Sequence, residues 1–518
     1  MTPIDYFDRG ARLRPDAIAF VAGAAQISYR DAQALTHRIA LALLAADVGP
    51  GTKVAVYSAN RIEAFLAVLG VFRCGAVWVP VNVRNGLDDN IAVLANAECS
   101  VLFYGEEFES AVATMKRALP AIALSIPLTV LRDDDARSQS WMAPLGSIAP
   151  SLPDDPHRMS AILSTGGTTG LPKGVVWRDL TWECMIANFW AHLPCDSDRP
   201  PVYLVAAPMT HAAGVISVPL MAAGAKIVIL DRVDAGAVMS TIEKERVTHL
   251  FLPPTAIYMM LAHPDVRKFD YRSLRYFIYS AAPMAPDKIR EAIDVFGPVM
   301  AQAYGQAEVP LMGAFLSPAE HVDILASNRR DRLASCGRSS MFVDLIVMDD
   351  DGRRASPGMR GEIAFRGNLV APGYYKDASA TTAARRDGWH LTGDIGFMDE
   401  EGYVYIVDRK KDMIITGGFN VFSTEVERQI LRHPSVQDCA VVGAPDETWG
   451  EIVVAICEAK PGAIIPVDEL RDRCREALGG VKAPKAFHIW DVLPRSAAGK
   501  ILKREIRERF WRGRERRV

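Results

Sequence analysis

The sequence of 518 residues lacks any strong bias in charge or composition. Lys and Arg number 59 against 62 Asp and Glu, which gives a formal net charge of -3. Because the two signs are interspersed, the chain is not expected to bind nucleic acid. Internal repeats and low-complexity segments are missing, and an apolar fraction of 49% is typical of a folded protein. One hydrophobic core rarely supports a chain of this length, so at least two domains are expected.

The cysteines also lack a pattern. No two of the eight show CxxC spacing, which favours neither a zinc site nor a disulfide framework. Cys439 and Cys457 lie inside apolar runs and are expected to be small core residues. A reducing compartment fits this usage best, so a cytoplasmic location is expected.

Signals for export or membrane insertion are scarce. The first five residues are not a basic region followed by an apolar block, so no signal peptide is expected. The stretch from Pro200 to Ala225 has no charged residue and is long enough to mimic a membrane span of about 20 residues. It contains Pro208, Gly214 and Pro219, which would break or burden a helix in lipid. We predict a buried strand, a loop and a buried helix there, in a soluble protein without a membrane span.

Short apolar runs alternate with amphipathic stretches through the first two thirds of the chain. Runs such as Val54–Tyr57 and Tyr276–Tyr279 predict strands, and Pro286–Phe296 predicts a helix. This alternation indicates an α/β fold with mostly parallel sheets covered by helices. After about Arg332, short strands separated by turn signals predict a smaller β-rich region.

A charged run at 408–412 has no apolar residue and is typical of a hinge. Beyond it, the pattern of two helices and two strands predicts a compact α+β domain. We therefore expect a large N-terminal domain at 1–408 and a small, mobile C-terminal domain at 409–518. The Arg-rich tail from Arg507 to Arg517 is expected to be solvated and frayed.

The clearest motif follows the strand-like run Ala161–Ser164 and reads Ser-Thr-Gly-Gly-Thr-Thr-Gly-Leu-Pro-Lys-Gly at 164–174. Glycines let backbone N–H groups approach a phosphate, hydroxyls add donors, and Lys173 adds a mobile positive charge. The segment is not the Walker pattern, because Pro172 precedes the lysine and Gly174 follows it. A flexible surface loop is the alternative, but the packing of four glycines, three threonines and a lysine favours an anion site.

This segment resembles the signature of the adenylate-forming superfamily, which includes acyl- and aryl-CoA synthetases, beetle luciferases and peptide-synthetase adenylation domains. Other segments match in the family's order and cover nearly the whole chain. They are Ile27–Tyr29, Gly75–Pro80, Tyr304–Glu308, Trp389–Asp394, 408–420, Gly443–Asp446, Trp449–Glu451 and Gly499–Arg504. The chain is most similar to an acyl- or aryl-acid–CoA ligase. The resemblance implies ATP, Mg2+ and coenzyme A as cosubstrates.

The resemblance also implies roles for residues of the large domain. Lys173 would help hold pyrophosphate, Glu308 would hold Mg2+, and His211 would lie near the acid substrate. Each has a plainer alternative: a solvated loop, an exposed acid in a turn, and a satisfied core histidine. The phosphates would be cradled by Thr165, Gly166, Gly167, Thr168, Thr169 and Gly170. The adenine would lie between Tyr304-Gly305 on one side and Ala281, Ala282 and Pro283 on the other. Tyr304 could equally be a core tyrosine.

A second set of roles falls on the end of the chain. Asp394 would accept from the ribose hydroxyls, and Arg409 would bind the sugar and phosphate region, although a turn aspartate and a solvated hinge charge are the alternatives. Lys500 would swing in to contact carboxylate and α-phosphate, since a compact charge on a flexible stem suits that task. After adenylation the small domain would rotate about Lys411. That would bring Gly417 and Gly418, otherwise an ordinary turn, to a tunnel for the pantetheine arm.

Some features depart from the family or leave choices open. Ala307 replaces the usual Thr, so one hydroxyl near the α-phosphate or metal is absent. The residues after His211 are small and apolar, which favours a hydrophobic acid of the fatty, alicyclic or aromatic class. An acyl-AMP ligase with a carrier-protein thiol or another acceptor, and a non-catalytic nucleotide-binding relative, are the alternatives. The sequence leaves assembly into a homo-oligomer open.

Overall fold

The computed structural model describes residues 1–132, 140–165, 172–195, 199–495 and 501–512. The chain forms two compact units. The larger contains Met1–Leu345 with Phe365–His390, and the smaller contains Ile346–Ala364 with Leu391–Val518. These units are defined by compactness, whereas the predicted boundary after residue 408 is the place where a mobile domain begins. That boundary stays a prediction.

The larger unit contains a nine-stranded sheet. Its strands are β1 (Ile18–Ala22), β2 (Ala25–Ser28), β9 (Val202–Val205), β10 (Lys226–Ile229), β11 (His249–Leu252), β12 (Tyr276–Tyr279), β13 (Met300–Gln306), β14 (Val309–Leu316) and β15 (Arg338–Ser339). Their order is β15-β14-β13-β12-β11-β9-β10-β1-β2. Neighbours from β13 to β1 run parallel, whereas the strands at the two edges pair antiparallel. The predicted parallel arrangement is confirmed.

A six-stranded sheet completes the strand framework at the N-terminal side of the sequence. It is built from β3 (Lys53–Tyr57), β4 (Val77–Val81), β5 (Val101–Tyr104), β6 (Leu124–Pro127), β7 (Met159–Thr165) and β8 (Lys173–Arg178). The order is β6-β5-β3-β4-β7-β8, and only the β7–β8 pair within it is antiparallel. Strand β4 is buried along its whole length, which explains its unbroken apolar sequence.

Helices occupy most connections between these strands, as the alternating pattern predicts. In the larger unit they are α1 (Pro3–Leu13), α2 (Tyr29–Ala45), α3 (Ile62–Arg73), α4 (Leu87–Asn96), α5 (Glu109–Ala118), α6 (Asp179–His192), α7 (Ala212–Met221), α8 (Ala235–Glu245), α9 (Pro254–Leu261), α10 (Pro286–Phe296), α11 (Pro318–Ala326) and α12 (Ala378–Ala383). The uncharged stretch from Pro200 to Ala225 forms strand β9, a loop and buried helix α7, as predicted. Among the helices in the described ranges, none has the length and apolarity needed to cross a bilayer.

The β-rich region predicted after Arg332 is also present. Its strands are β16 (Asp344–Met348), β17 (Gly361–Arg366), β18 (Arg385–Arg386), β19 (Trp389–Met398) and β20 (Val404–Arg409). They follow the order β16-β17-β19-β18, and β20 pairs with β19.

The smaller unit ends in an α+β module. Its sheet has strands β21 (Ile414–Thr416), β22 (Phe419–Val421), β23 (Val436–Asp446), β24 (Gly450–Ala459) and β25 (Ala486–Ile489), and its helices are α13 (Ser423–Ile430), α14 (Val467–Lys482) and α15 (Lys503–Phe510). Because side chains alternate along a strand, β23 supplies two separate cores. Val441 packs on one face with α13 and α14 residues, and Val442 packs on the other with Ile506 of α15. Cys439 and Cys457 are buried in the first of these cores, as expected.

The expectation of a solvated tail is wrong at its first residue. The Arg-rich tail was predicted to be solvated from Arg507 onward, but Arg507 lies in α15 with its side chain largely buried. Its guanidinium donates to the backbone oxygen of Lys411 at 3.0 Å and pairs with Asp412 at 3.3 Å. Arg507 therefore ties α15 to the turn that follows β20. The reason is that Ile506 carries the helix into the core, which a count of charged residues did not show.

Candidate active site

The glycine-rich motif is bounded by the two ends of a strand pair. Thr165 ends β7, Lys173 begins β8, and the two residues are paired in the antiparallel register. The hydroxyl of Thr165 lies 3.4 Å from the backbone oxygen of Lys173. The predicted phosphate-binding residues Gly166, Gly167, Thr168, Thr169 and Gly170 lie outside the described residues. The structure therefore fixes the flanks of the motif and brings Thr165 and Lys173 together.

Tyr374 joins Lys173 to Glu308, two residues that lie far apart in sequence. The Lys173 Nζ atom lies 5.1 Å from the centre of the Tyr374 ring, within the range of a cation–π interaction. The Tyr374 hydroxyl donates to Oε1 of Glu308 at 2.7 Å. Backbone contacts support this arrangement. Tyr374 forms an isolated antiparallel β-bridge with Val175 of β8, and the N–H of Ala371 donates to the backbone oxygen of Glu308 at 2.8 Å.

Burial, followed by the Glu308 charge, raises the pKa of Tyr374 above its ordinary value, so it is a neutral donor at pH 7. The sequence pattern does not single out Tyr374. Its only local signal is the Pro372-Gly373-Tyr374 turn, which indicates a fixed backbone and nothing about its partner.

The residues predicted around adenine lie at the C-terminal ends of two neighbouring strands of the nine-stranded sheet. Ala281, Ala282 and Pro283 follow the end of β12 and are exposed, while Tyr304 lies near the end of the neighbouring parallel strand β13. Ala281 has a φ of +73°, which is unusual for a residue with a side chain and costs about 1–3 kcal/mol. Tyr304 is 8% exposed and packs 5.8 Å from Phe365 between ring centres.

Gly305 is required by the turn that leads to Glu308. A Cβ atom at this position would lie 2.5 Å from the backbone oxygen of Val309 and 2.9 Å from that of Leu311. Strands β13 and β14 therefore approach too closely for any other residue. The consequence is a tight turn that presents Glu308 beside Tyr374.

His211 precedes helix α7, and its side chain is reachable by solvent. Protein atoms nevertheless surround it densely enough that burial lowers the pKa of the imidazole below its ordinary value. A group that is both accessible and surrounded lies in a concave part of the surface, which is where a small ligand would bind. Its Nε2 atom lies 3.1 Å from the amide nitrogen of Asn82, a partner that sequence analysis did not identify.

In the smaller unit, Asp394 and Arg409 form an ion pair. They face each other across β19 and β20, and Arg409 Nε lies 2.6 Å from Asp394 Oδ1. Asp394 is 3% exposed, and its backbone N–H donates to the Thr392 hydroxyl at 3.0 Å. That hydroxyl in turn donates to the Ile363 oxygen at 2.7 Å, so the backbone of Asp394 is fixed while its carboxylate pairs with Arg409. The two residues predicted to bind the sugar are adjacent.

The segment after β20 is fixed by a buried aspartate. Asp408 accepts from the Ser423 hydroxyl at 2.8 Å and from the backbone N–H groups of Ser423 and Thr424 at the start of α13. Lys411 follows in a 3-10 turn at Lys410–Asp412. The residue that precedes the predicted pivot is thus anchored to the smaller unit itself.

Gly417 and Gly418 form the two-residue turn between β21 and β22. Both have positive φ, +55° and +82°, as the tightest hairpin turns require. A Cβ on Gly417 would lie 2.5 Å from the Trp449 ring, and its N–H donates to the Trp449 oxygen at 2.8 Å. The pair is exposed and lies against an aromatic side chain that sequence analysis did not assign to the site. Lys500 lies outside the described residues.

A divalent cation fits the Glu308 end of the larger unit. Mg2+ takes oxygen ligands and is commonly held by one or two carboxylates together with substrate phosphates. Glu308 supplies such a carboxylate and is only partly buried, with Tyr374 orienting one of its oxygens. Within the part of the chain that the structure describes, no cluster of three or more His, Cys, Asp or Glu side chains has metal-binding geometry.

Two family models match this chain, one over its N-terminal part and one near its C-terminal end. Residues 7–375 match the model of the AMP-binding enzyme family, and residues 425–500 match that of the AMP-binding enzyme C-terminal domain. Among curated proteins, a feruloyl-CoA synthase of Amycolatopsis sp is 35% identical over 506 residues, with 97% of this chain and 98% of the relative covered. A medium/long-chain-fatty-acid–CoA ligase of Mycobacterium tuberculosis is 34% identical over 482 residues, covering 90% and 82%.

Among solved structures, the amide bond synthetase McbA from Marinactinospora thermotolerans superimposes with a TM-score of 0.86. It is 27% identical, and the match covers 98% of this chain and 100% of the other. The same architecture therefore serves proteins whose names specify different acceptors.

Proposed function

This chain belongs to the AMP-binding enzyme family, within the adenylate-forming superfamily, and on that premise we propose that it converts a hydrophobic carboxylic acid into its CoA thioester. It is an AMP-forming acid–thiol ligase that uses ATP, Mg2+ and CoA. In the first step the acid and ATP give acyl-AMP and pyrophosphate. In the second step acyl-AMP and CoA give acyl-CoA and AMP.

The observation that carries the proposal is the cluster of Lys173, Tyr374 and Glu308 at the flank of the glycine-rich motif. The first step brings a carboxylate against the α-phosphate of a polyanion, so cations and aimed donors must offset the repulsion. Lys173 would contact the pyrophosphate, and Glu308 would hold Mg2+, which neutralises charge on the phosphates. The Tyr374 contacts hold these two groups at one place.

The smaller unit would supply the sugar contacts and the mobile cation. Asp394 is buried and its carboxylate pairs with Arg409, so its orientation is set before a nucleotide binds. Arg409 lies on it and would contact the ribose and phosphate region. Lys500 would deliver its ammonium to the carboxylate and the α-phosphate during adenylation.

For the second step, a rotation about Lys411 would replace Lys500 by the Gly417–Gly418 turn. A thin thiol arm passing along backbone needs residues without side chains, and both glycines are exposed beside Trp449.

The acid is proposed to be hydrophobic. Helix α7, which begins beside His211, has no charged residue, and nine of its ten residues are buried. The two curated relatives act, by their names, on feruloyl and fatty acyl groups, both of which are largely apolar. A carboxylate at the His211 end with an apolar body along α7 fits both classes.

One alternative concerns the acceptor. The likeness to an amide bond synthetase makes an amine, besides a carrier-protein thiol, a candidate to receive the acyl group from the adenylate.

The experiment is to incubate the enzyme with ATP, Mg2+ and a panel of fatty, alicyclic and aromatic acids. AMP and acyl product are followed with CoA, with an amine, and without acceptor. Adenylate that never yields a thioester would contradict the assignment of CoA.

A half-reaction test addresses the mobile cation. Lys500→Ala should slow adenylate formation on the order of 100-fold, because an aimed charge is lost at the reacting phosphate. Thioester formation from supplied acyl-AMP should fall much less. Lys460→Ala, at an exposed lysine of the same unit, is the control. Equal damage to both half-reactions would argue against two conformations.

A further inference from the structure

Asn82 and His211 are joined although 129 residues separate them. Asn82 directly follows strand β4 and is 4% exposed. Its side-chain nitrogen Nδ2 lies 3.1 Å from Nε2 of His211, the residue that precedes α7. The backbone of Asn82 is fixed as well, because the Asn90 side chain donates to its oxygen at 3.0 Å.

The neighbours of Asn82 determine which of its side-chain atoms faces the histidine. The backbone N–H of Arg84 lies 2.9 Å from Asn82 Oδ1, and a backbone N–H can only donate. The atom there must be the amide oxygen, so the atom facing His211 is the amide nitrogen. An amide nitrogen donates and cannot accept. Nε2 of His211 must therefore accept, and in a neutral imidazole the proton then lies on Nδ1.

The same contact opposes protonation of His211. An imidazolium carries hydrogen on both nitrogens, which would place an N–H against the amide N–H of Asn82. Burial lowers the pKa of His211 independently of this contact. A neutral ring results, with one lone pair occupied by Asn82 and one N–H left to donate.

We propose that Asn82 is a positioning residue that holds His211 as a neutral Nδ1–H donor, which hydrogen-bonds the carboxylate of the acid substrate and the carbonyl of its adenylate. The inference rests on the proposed function, in which His211 lies at the acid. It assigns to His211 the task of donating a hydrogen bond and not that of removing a proton, because its only lone pair is engaged.

The first test needs no substrate. Nitrogen NMR of the full chain labelled with 15N-histidine distinguishes the two ring nitrogens, and a His211→Gln sample identifies the signals of this residue. At pH 7 we expect a neutral ring with the proton on Nδ1. A proton on Nε2, or an imidazolium, would overturn the proposal whatever the enzyme's activity.

The second test changes the partner. Asn82→Asp keeps the shape and still accepts from Arg84, but its carboxylate can only accept from His211. The proton should move to Nε2, the pKa of His211 should rise, and adenylate formation should fall about 10- to 100-fold, as for a hydrogen bond to a charged group. Asp88→Asn also changes one charge, at an exposed position at the start of the neighbouring helix α4, and should alter neither measurement.

The outcomes separate this inference from the proposed function. If Asn82→Asp moves the proton but adenylate formation stays at the wild-type rate, the role at the acid is wrong. If the wild-type protein adenylates no acid at all, the proposed function fails while the NMR result still decides the state of His211. Should Asn82→Asp not fold, the wild-type spectrum alone keeps the proposal open to refutation.

Discussion

The hydroxyl of Tyr374 lies 2.7 Å from Oε1 of Glu308 and donates a hydrogen bond to the carboxylate proposed to hold Mg2+. Tyr374→Phe removes this hydroxyl and keeps the ring beside Lys173. Loss of a hydrogen-bond partner that orients a metal ligand typically lowers metal affinity about 10- to 100-fold, so we expect the apparent KM for Mg2+ to rise about tenfold or more. The measurement is the initial rate of pyrophosphate release against Mg2+ at saturating ATP.

The next residue provides a matched control. Tyr375 donates from its hydroxyl to Glu98 at 2.9 Å, on an exposed surface. Tyr375→Phe deletes the same atom and should leave the Mg2+ dependence unchanged. Equal effects of the two variants would contradict a specific role for Tyr374.

The glycine turn at Gly417 and Gly418 offers a paired substitution. Both residues have positive φ, so alanine at either one costs about 1–2 kcal/mol in the left-handed region. Only at Gly417 would the new methyl group also meet Trp449, whereas none of the residues that the structure describes lies within 4 Å of a methyl group at Gly418. We expect Gly417→Ala to slow thioester formation from acyl-AMP about tenfold more than Gly418→Ala, with adenylate formation less affected. A larger loss of thioester formation in Gly418→Ala than in Gly417→Ala would contradict a role for contact with Trp449.

The core of the smaller unit contains a buried ion pair. Lys503 Nζ lies 2.8 Å from Glu427 Oε1 and 2.7 Å from the Ser423 hydroxyl. Although burial opposes its charge, the carboxylates of Glu427 and Asp408 hold the pKa of Lys503 above its ordinary value. Lys503→Met leaves Glu427 charged and unpaired, which should destabilise this unit by about 3–5 kcal/mol.

A second ion pair, which also has its glutamate on α13, is the control for that effect. Lys482 and Glu425 are 2.7 Å apart but partly exposed, so Lys482→Met should cost about 1 kcal/mol or less. Amide hydrogen exchange of strands β23 and β24 in the full chain would measure both. Similar losses would show that burial of the Lys503 pair does not matter.

A pH dependence of stability is expected from Asp179, at the start of α6. Burial raises the pKa of its carboxyl to about 6, and Arg158 at 3.6 Å opposes this only in part. Between about pH 4 and pH 6 the folded chain therefore binds more protons than the unfolded one. The free energy of unfolding should then fall as the pH rises through this window, on the order of 2–3 kcal/mol in total.

Asp179→Asn should flatten this part of the stability profile, because the amide does not titrate. Asp16→Asn changes an exposed partner of Arg30 and should leave the profile as it is. Thermal midpoints of the full chain between pH 4 and pH 7 would show the difference. A profile of unchanged slope in Asp179→Asn would assign the effect to another group.

Much of the strand and helix pattern could be predicted from local sequence. Tyr276–Tyr279 and Pro286–Phe296 form the predicted strand and helix with the predicted bounds. The short strands β21 and β22 were missed, because three-residue strands carry too little periodicity to detect. Arg507 was misjudged since its neighbour Ile506, and not the charges around it, decides where α15 packs.

The candidate site divides in the same way. The sequence by itself determined the residue types that the reaction needs, because glycines, hydroxyls and a lysine at short spacing are a local property of the chain. Tertiary structure alone decided the partners: Tyr374 for Glu308, Asn82 for His211, and Arg409 for Asp394. The first two contacts join residues 66 and 129 positions apart, and such pairings arise only when sheets and connecting loops bring their ends together.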